Sequence, residues 1–405
     1  MLATRAPFTG AIPDVPPRSA ALALTVSPEG GWTWFNAPNA IYHEGKTFIG
    51  YISGDGHPMA VQYDHATEIV STPVRLYPSG VFEVDDHDDA ALLRRSSDGR
   101  ILAYYSVHFG DDQYVNVSTN PDDVTAWDGP VNIGAAIGAN ITTYMCPIEM
   151  PDGSIRVFFR DHYDGVNAEW AYADSANGET FSGHTSLVRL TYARPIRAGA
   201  RIHFVASGYA PEEQFGIWHF YWEGGSYYHS DGTLISASLP LTKDDITEVY
   251  DGSTTRAWLW DIAVDGAAPV IAFATFPGND GIEHRYQYAR WTGSAWDVNE
   301  VADAGGSITA SPPDPEAFYS GGVAIDRTNP NIVYYSSNAA GNRDMFRAVT
   351  SDGGSTWRTL ALTDDATKDF RPKAVAGPAL PLRVLWLSGT YGSFIDWAAG
   401  LAGGY

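Results

Sequence analysis

Asp152-Gly-Ser-Ile-Arg-Val-Phe-Phe-Arg160 reads as a tight turn running straight into a short strand. The Asp-Gly pair supplies the turn, because glycine reaches positive φ without steric cost. The residues after it are mostly β-branched and aromatic, which suits a pleated, half-buried surface. The pattern repeats in both directions. Asp98-Gly99 precedes Ile101-Leu-Ala-Tyr-Tyr-Ser106, and Asp265-Gly266 precedes Pro269-Val-Ile-Ala-Phe-Ala274. Thr47-Phe-Ile-Gly-Tyr-Ile-Ser53, Ile202-His-Phe-Val-Ala206, Ile332-Val-Tyr-Tyr-Ser336 and Leu382-Arg-Val-Leu-Trp-Leu387 complete the series. These seven runs lie roughly 45 to 70 residues apart, with no helical stripe of any length between them. The series predicts an all-β chain, a seven-bladed β-propeller in which each run is the innermost or second strand of one blade.

A second repeat agrees. Thr350-Ser-Asp-Gly-Gly-Ser-Thr-Trp357 fits the Asp-box pattern, in which an Asp caps a hairpin turn and a Trp seals the blade beneath it. Asp174-Ser-Ala-Asn-Gly-Glu-Thr-Phe181 is a decayed relative with Ala176 in the Asp position. Such boxes specify architecture and not chemistry. Gly 41 and Pro 25 in 405 residues, with 13% aromatics, suit many short strands joined by tight turns. Residues 26–405 read as one propeller domain and 1–25, rich in Pro and Ala, as a lead-in. Closure of the ring should bring the region from Trp32 to Ile41 beside the segment from Leu382 to Trp397.

A net charge of −23 makes nucleic acid and anionic membranes poor partners. A polyanionic substrate must be held by a local basic pocket working against that field. Cys146 is the only cysteine, so no intramolecular disulfide forms, and a structural thiol is the expected reading. Met1-Leu-Ala-Thr-Arg-Ala-Pro-Phe8 holds no apolar run of signal-peptide length, and no stretch approaches the ~20 apolar residues of a membrane span. The chain as given is expected to be soluble and monomeric.

The chemistry-bearing residues concentrate between Val84 and Arg160. His87 stands in Val84-Asp-Asp-His-Asp-Asp89, His108 ends Tyr104-Tyr-Ser-Val-His108, Tyr144 opens a strand-like stretch, and Arg160 ends another. The histidines are 21 positions apart (108 minus 87) and the tyrosine and arginine 16 (160 minus 144), about one hairpin in each case. A cation, a phenol and an imidazole meeting in one cleft are what an eliminase acting on uronic acids needs. The cation offsets the carboxylate whose charge opposes C5 deprotonation. A neutral imidazole takes the proton. A phenol, with an ordinary pKa of ~10 that a guanidinium would lower, serves as acid or, once ionised, as base. Plainer readings stand beside these. The four aspartates around His87 form a metal site or a solvated loop, His108 is a core histidine that orients His87, Tyr144 is a blade-edge aromatic, and Arg160 pairs with Asp161 or another carboxylate.

Gly30-Gly-Trp-Thr-Trp-Phe-Asn-Ala-Pro-Asn-Ala-Ile41, Asp85-Asp-His-Asp-Asp-Ala-Ala-Leu92, Ile202-His-Phe204, His219-Phe-Tyr-Trp222, Ser230-Asp-Gly-Thr233, Phe370-Arg-Pro372 and Leu385-Trp-Leu-Ser-Gly-Thr-Tyr391 occur in that order. Together they resemble the BNR-repeat propellers that include ulvan lyases and lyases of L-rhamnose-α-1,4-D-glucuronate linkages. The resemblance implies β-elimination at O4 of a glucuronic or iduronic residue, acting outside the cell on a uronate-containing polysaccharide. It implies His87 and Tyr144 as the acid/base pair, Arg160 as the carboxylate-neutralising group, and His108 as a second active-site histidine. Arg194, Arg197, Tyr209, His219, Arg256 and Trp260, with Trp258, are candidates for the substrate groove, since sugars stack on aromatic faces and acidic ones need cations. No cofactor is expected in catalysis. Calcium or zinc, which some relatives carry, is expected to be structural. Two alternatives stay open: a glycoside hydrolase of α-L-rhamnosidase or sialidase type, and a glycan-binding propeller without catalysis. Against the hydrolase, neither a convincing carboxylate pair nor an arginine triad stands out.

Overall fold

The computed structural model describes residues 23–80, 82–138, 140–309, 316–377 and 382–404. Their strands form seven antiparallel sheets in sequence order, a seven-bladed β-propeller. The blades span residues 40–75, 91–132, 143–188, 192–250, 256–305, 323–361 and 368–404, the last completed by Leu24–Ser27. We number them one to seven. All seven apolar runs quoted above fall in the second strand of a blade: Lys46–Ile52, Ile101–Ser106, Ile155–His162, Arg201–Ser207, Ala268–Phe276, Ile332–Ser337 and Val384–Ser393. A second strand has a strand on each side and a neighbouring blade against each face, so it carries a nearly continuous apolar run and not an alternating one. In Ile101–Ser106 all six residues are buried.

Closure uses a different N-terminal segment from the one expected. Leu24–Ser27 pairs antiparallel with Asp396–Gly404 as the outermost strand of blade seven. At the axis, Tyr42 N–H donates to Ala376 O at 2.9 Å and Ala376 N–H to Ala40 O at 3.0 Å, joining blade seven to blade one. Of the proposed lead-in, residues 1–22 lie outside the described residues, and Leu24 and Thr25 already belong to the closing strand. A variant beginning at Pro28 leaves the Asp396–Gly404 edge unpaired. It should melt roughly 5 °C lower and associate with rising concentration. Unchanged melting and a monodisperse particle in light scattering would contradict this role.

The Asp box forms as read. The Asp352 carboxylate accepts from Thr356 N–H at 2.9 Å and from the Thr350 hydroxyl at 2.8 Å, and Trp357 packs edge-on against Tyr288. In the decayed copy Asn177, next to Ala176, takes over the capping: its Oδ1 accepts from Glu179 and Thr180 N–H at 3.0 and 3.1 Å. Aromatic side chains fill the propeller axis at the amino ends of the inner strands. Trp34 stacks on Trp260 at 4.7 Å and meets Trp258 and Tyr319 edge-on at 5.2 Å, while Phe35 stacks on Tyr192 at 4.1 Å. Rings of this size bury roughly 150–250 Å² each, so the plug also serves as the rigid floor of whatever lies above it.

Candidate active site

Blade three sets the first pair. Its inner strand Thr143–Glu149 runs antiparallel to Ile155–His162, with Thr143 opposite Arg160 and the register broken between Thr143 and Met145. Tyr144 is the extra residue of that bulge and has φ 62°. A bulge re-aims a side chain, and holding a non-glycine residue in the left-handed region costs about 1–3 kcal/mol, so the position is fixed by its surroundings. It brings the Tyr144 ring 4.6 Å from the Arg160 guanidinium.

Arg160 is 3% exposed and makes no ion pair among the described residues; its Nε and Nη2 lack a hydrogen-bond partner there. It does not pair with Asp161, whose carboxylate accepts from Asn140 N–H at 2.9 Å. Aromatic rings surround the guanidinium instead: Tyr144, Phe109 at 4.9 Å and Tyr192 at 5.6 Å. A buried, uncompensated cation is destabilising unless a ligand completes it. Nε and Nη2 form one edge of the fork, the edge that binds a carboxylate through two parallel hydrogen bonds.

The histidines come from a loop and a strand end of blade two's neighbourhood. Asp86–Asp88 is a single 3-10 turn capped by Asp85, whose side chain accepts from His87 N–H. The two Asp85 oxygens then accept from the Nδ1–H groups of His87 at 2.6 Å and His108 at 2.8 Å. The imidazoles stack with centroids 3.8 Å apart, and Phe394 lies edge-on to both. With Nδ1–H engaged by Asp85, each ring turns its Nε2 lone pair outward, the tautomer a general base needs. Burial pushes the Asp85 carboxyl up, but the two imidazoles outweigh this and hold it well below the usual carboxylate range. Burial, reinforced by His87, brings His108 down to about 3, so it is neutral across the ordinary pH range.

The aspartate loop is neither solvated nor free. Asp85, Asp86, Asp88 and Asp89 are all buried. Asp86 bonds to Arg371 and accepts from the Tyr391 hydroxyl at 2.7 Å; Arg371 also donates to that hydroxyl at 2.6 Å. Asp89 accepts from Thr33 N–H and from Asn36 and Asn39. Burial, with Asp85 and Glu83 nearby, raises Asp88 well above the carboxylate range. One donor atom from each of Asp85, His87 and His108 lies within 4.8 Å of the others, a spacing that suits a metal ion. In the arrangement seen here both carboxylate oxygens accept from imidazole N–H groups.

Tyr144 joins the two groups: its ring is 5.5 Å from His87 as well as 4.6 Å from the Arg160 guanidinium. One expectation is reversed here. Burial pushes the phenol well above its ordinary value, outweighing the lowering by Arg160, so Tyr144 stays protonated and is equipped as an acid.

Of the groove candidates, Tyr209 belongs with this end of the axis, packing beside Tyr192 and Trp258. Arg256 is on the same rim, donating to Pro211 O at 2.7 Å over the Phe215 ring. The others lie elsewhere. Trp258 and Trp260 are buried in the axial plug, because the inner strand of blade five aims them at Trp34. His219 is wholly buried inside blade four between His203 and Ser230. Arg194, paired with Asp261 at 3.2 Å, and Arg197 line a cavity at the carboxyl ends of the inner strands, opposite to His87. From sequence Asp85 and Asp86 stood only as part of a metal site or a solvated loop, and no role was visible for Phe109, Tyr192, Arg371, Tyr391 or Phe394. Arg371 and Tyr391 stand in stretches that carried the resemblance, and that was their one visible signal.

A family model described as BNR repeat-containing family member matches residues 46–304, from blade one through blade five. The chain belongs to the BNR repeat-containing family. Within it, this member resembles two ulvan lyases, from Alteromonas sp. (strain LOR) at 27% identity over 174 residues and Nonlabens ulvanivorans at 26% over 173. Each match takes in 38% of this chain and about a third of the relative, 34% and 35% respectively. Among solved structures, a PL25 ulvan lyase bound to -[GlcA(1-4)Rha3S]- superposes with a TM-score of 0.72 at 18% identity, covering 94% of this chain and 96% of that one. The polysaccharide lyase Uly1 gives 0.57 at 13%, covering 94% and 97%. At these identities the superpositions establish a shared propeller fold for this BNR-repeat chain.

Proposed function

We propose that this propeller is a polysaccharide lyase that breaks the bond to O4 of a glucuronic or iduronic residue by β-elimination, the linked sugar being rhamnose or a sulfated rhamnose. One observation carries it: a buried guanidinium with an unpartnered carboxylate-binding edge, set against a protonated phenol and beside an Asp85-oriented imidazole. The uronate carboxylate takes the Nε and Nη2 edge of Arg160, which offsets the charge opposing loss of the C5 proton. His87 Nε2 takes that proton, and Tyr144 donates its own to the departing O4. His108, held neutral and stacked on His87, keeps the imidazole in place. Phe109, half exposed over Arg160, must move aside to admit the sugar. The curated relatives named ulvan lyase, and the fold neighbour bound to a glucuronate–sulfated rhamnose polymer, support the substrate class.

The hydrolase reading loses ground to the same hydrogen bonds, since Asp85, Asp86 and Asp89 are all engaged and Asp88 is sealed from solvent. No metal is needed in the proposed step, because Arg160 supplies the positive charge. Calcium or zinc, where bound, would serve the fold. The deciding assay exposes a panel of uronate polymers to the enzyme in water enriched in oxygen-18. Unsaturated ends that absorb in the ultraviolet and carry no label are expected, and saturated labelled ends would overturn elimination. The pH dependence separates the roles further. A Tyr144 whose pKa is raised by burial stays protonated as pH rises, so kcat should show no alkaline fall below pH ~10. A rate that climbs through that region would mean that an ionised Tyr144 is the base.

A further inference from the structure

The carboxyl ends of the inner strands enclose a cavity of about 540 Å³ on the face away from His87. Three arginines line it, Arg194, Arg197 and Arg327, with Lys373, whose amine burial brings down to about 7, against one acid, Glu149. In a chain of net charge −23 such a lining runs against the field of the whole molecule.

The counter-charges do not balance. Asp261 serves both Arg194 at 3.2 Å and Arg327 at 2.7 Å, and its oxygens also accept from the backbone N–H groups of Ile262 and Ile325. Glu149 is turned to Ser96, accepting from its N–H at 2.8 Å and from its hydroxyl. Among the described residues Arg197 meets only carbonyls, those of Gly199 and Glu149. Lys373 donates to Asn36 O at 2.8 Å and faces Asp89. Among the described residues two arginines therefore share one carboxylate, and a third has none. Arg194 Nη2, Arg327 Nε and Arg197 Nη2 make no hydrogen bond among the described residues. Between the cations the wall is apolar, including Leu93, Pro147, Pro195, Ile196 and Val264.

We propose that this cavity is a second ligand site, for a tetrahedral oxyanion carried on a small apolar body, that is, an organic sulfate or phosphate monoester. Unspent donors from different elements around the rim suit an anion with acceptors in several directions. The apolar wall suits the body of the ester. The site is separate from the proposed lyase centre and does not depend on that reading.

Calorimetric titration of the full chain with inorganic sulfate, 4-nitrophenyl sulfate and phenyl phosphate tests it. The two esters should bind saturably with Kd of roughly 0.1–1 mM, and tighter than the inorganic ion. Arg197→Glu, an exposed position whose reversal spares the core, should weaken them at least tenfold. Arg327→Gln should weaken them too, while Arg160→Lys should leave them unchanged. No saturable binding by about 10 mM, wild-type affinity in Arg197→Glu, or loss of binding in Arg160→Lys would each overturn the proposal. Equal affinity for sulfate and the esters would overturn the assignment of an apolar body.

Discussion

Replacing Arg160 with alanine should lower kcat/KM on a uronate polymer by about 10³-fold or more, through both turnover and binding. The guanidinium is buried among Tyr144, Phe109 and Tyr192 with its Nε/Nη2 edge unpartnered, so nothing nearby can replace it against the substrate carboxylate. Losing a desolvated charge partner costs on the order of 3–5 kcal/mol. Arg160→Lys keeps the charge and loses the fork. It should recover part of the binding and little of the turnover, because the carboxylate is no longer held in register. Folding should not suffer, since the arginine makes no ion pair among the described residues that the variant would break. Steady-state kinetics and melting curves read both effects. An alanine variant that is as active as wild type but less stable would make Arg160 a structural cation.

Tyr144→Phe removes one hydroxyl from a ring that packing already fixes, and kcat should fall by roughly 10²-fold or more with little change in KM or melting temperature. His87→Ala should be comparably severe. The double variant should cost less than the product of the two factors, because an acid and a base that act in one step are not additive. His87 carries an extra risk to folding, since its Nδ1–H is one of two engaging the buried Asp85. His87→Gln is therefore the companion variant. If correctly folded Tyr144→Phe and His87→Gln proteins both turn over the true substrate near the wild-type rate, the assignment fails.

The residues at this centre were legible to different degrees, for physical reasons. Arg160 stands out in sequence because a charged residue at the end of an apolar run is costly and needs a purpose. His87 stands out among its aspartates, though their burial does not: a run of four carboxylates reads as solvated until the loop is seen wedged under Asn36, Arg371 and Tyr391. Tyr144 is one of 23 tyrosines, and only the bulge at φ 62° shows why this one faces Arg160. The direction of its pKa was beyond sequence altogether. The neighbouring guanidinium was foreseeable, but the burial that outweighs it belongs to the packed axis.

By itself the sequence determined the repeat. Seven apolar runs at similar spacing, three of them preceded by Asp-Gly turns, and one Asp box follow from local chemistry, because each strand and turn is specified by residues adjacent in the chain. Only the tertiary structure decided which cations share a face. Tyr144 and Arg194 are 50 positions apart (194 minus 144) on inner strands of adjacent blades, yet they serve opposite ends of the axis, because Tyr144 opens its strand and Arg194 turns down to Asp261. It also decided what a histidine faces: His87, on a buried loop, lies beside Tyr144, whereas His219, in an equally aromatic stretch, is sealed inside blade four. Spacing along a strand states which side a residue takes. Which end of the ring that side reaches, and what it finds there, depends on blades hundreds of residues away, as with Trp32 Nε1 donating to Arg371 O at 2.9 Å.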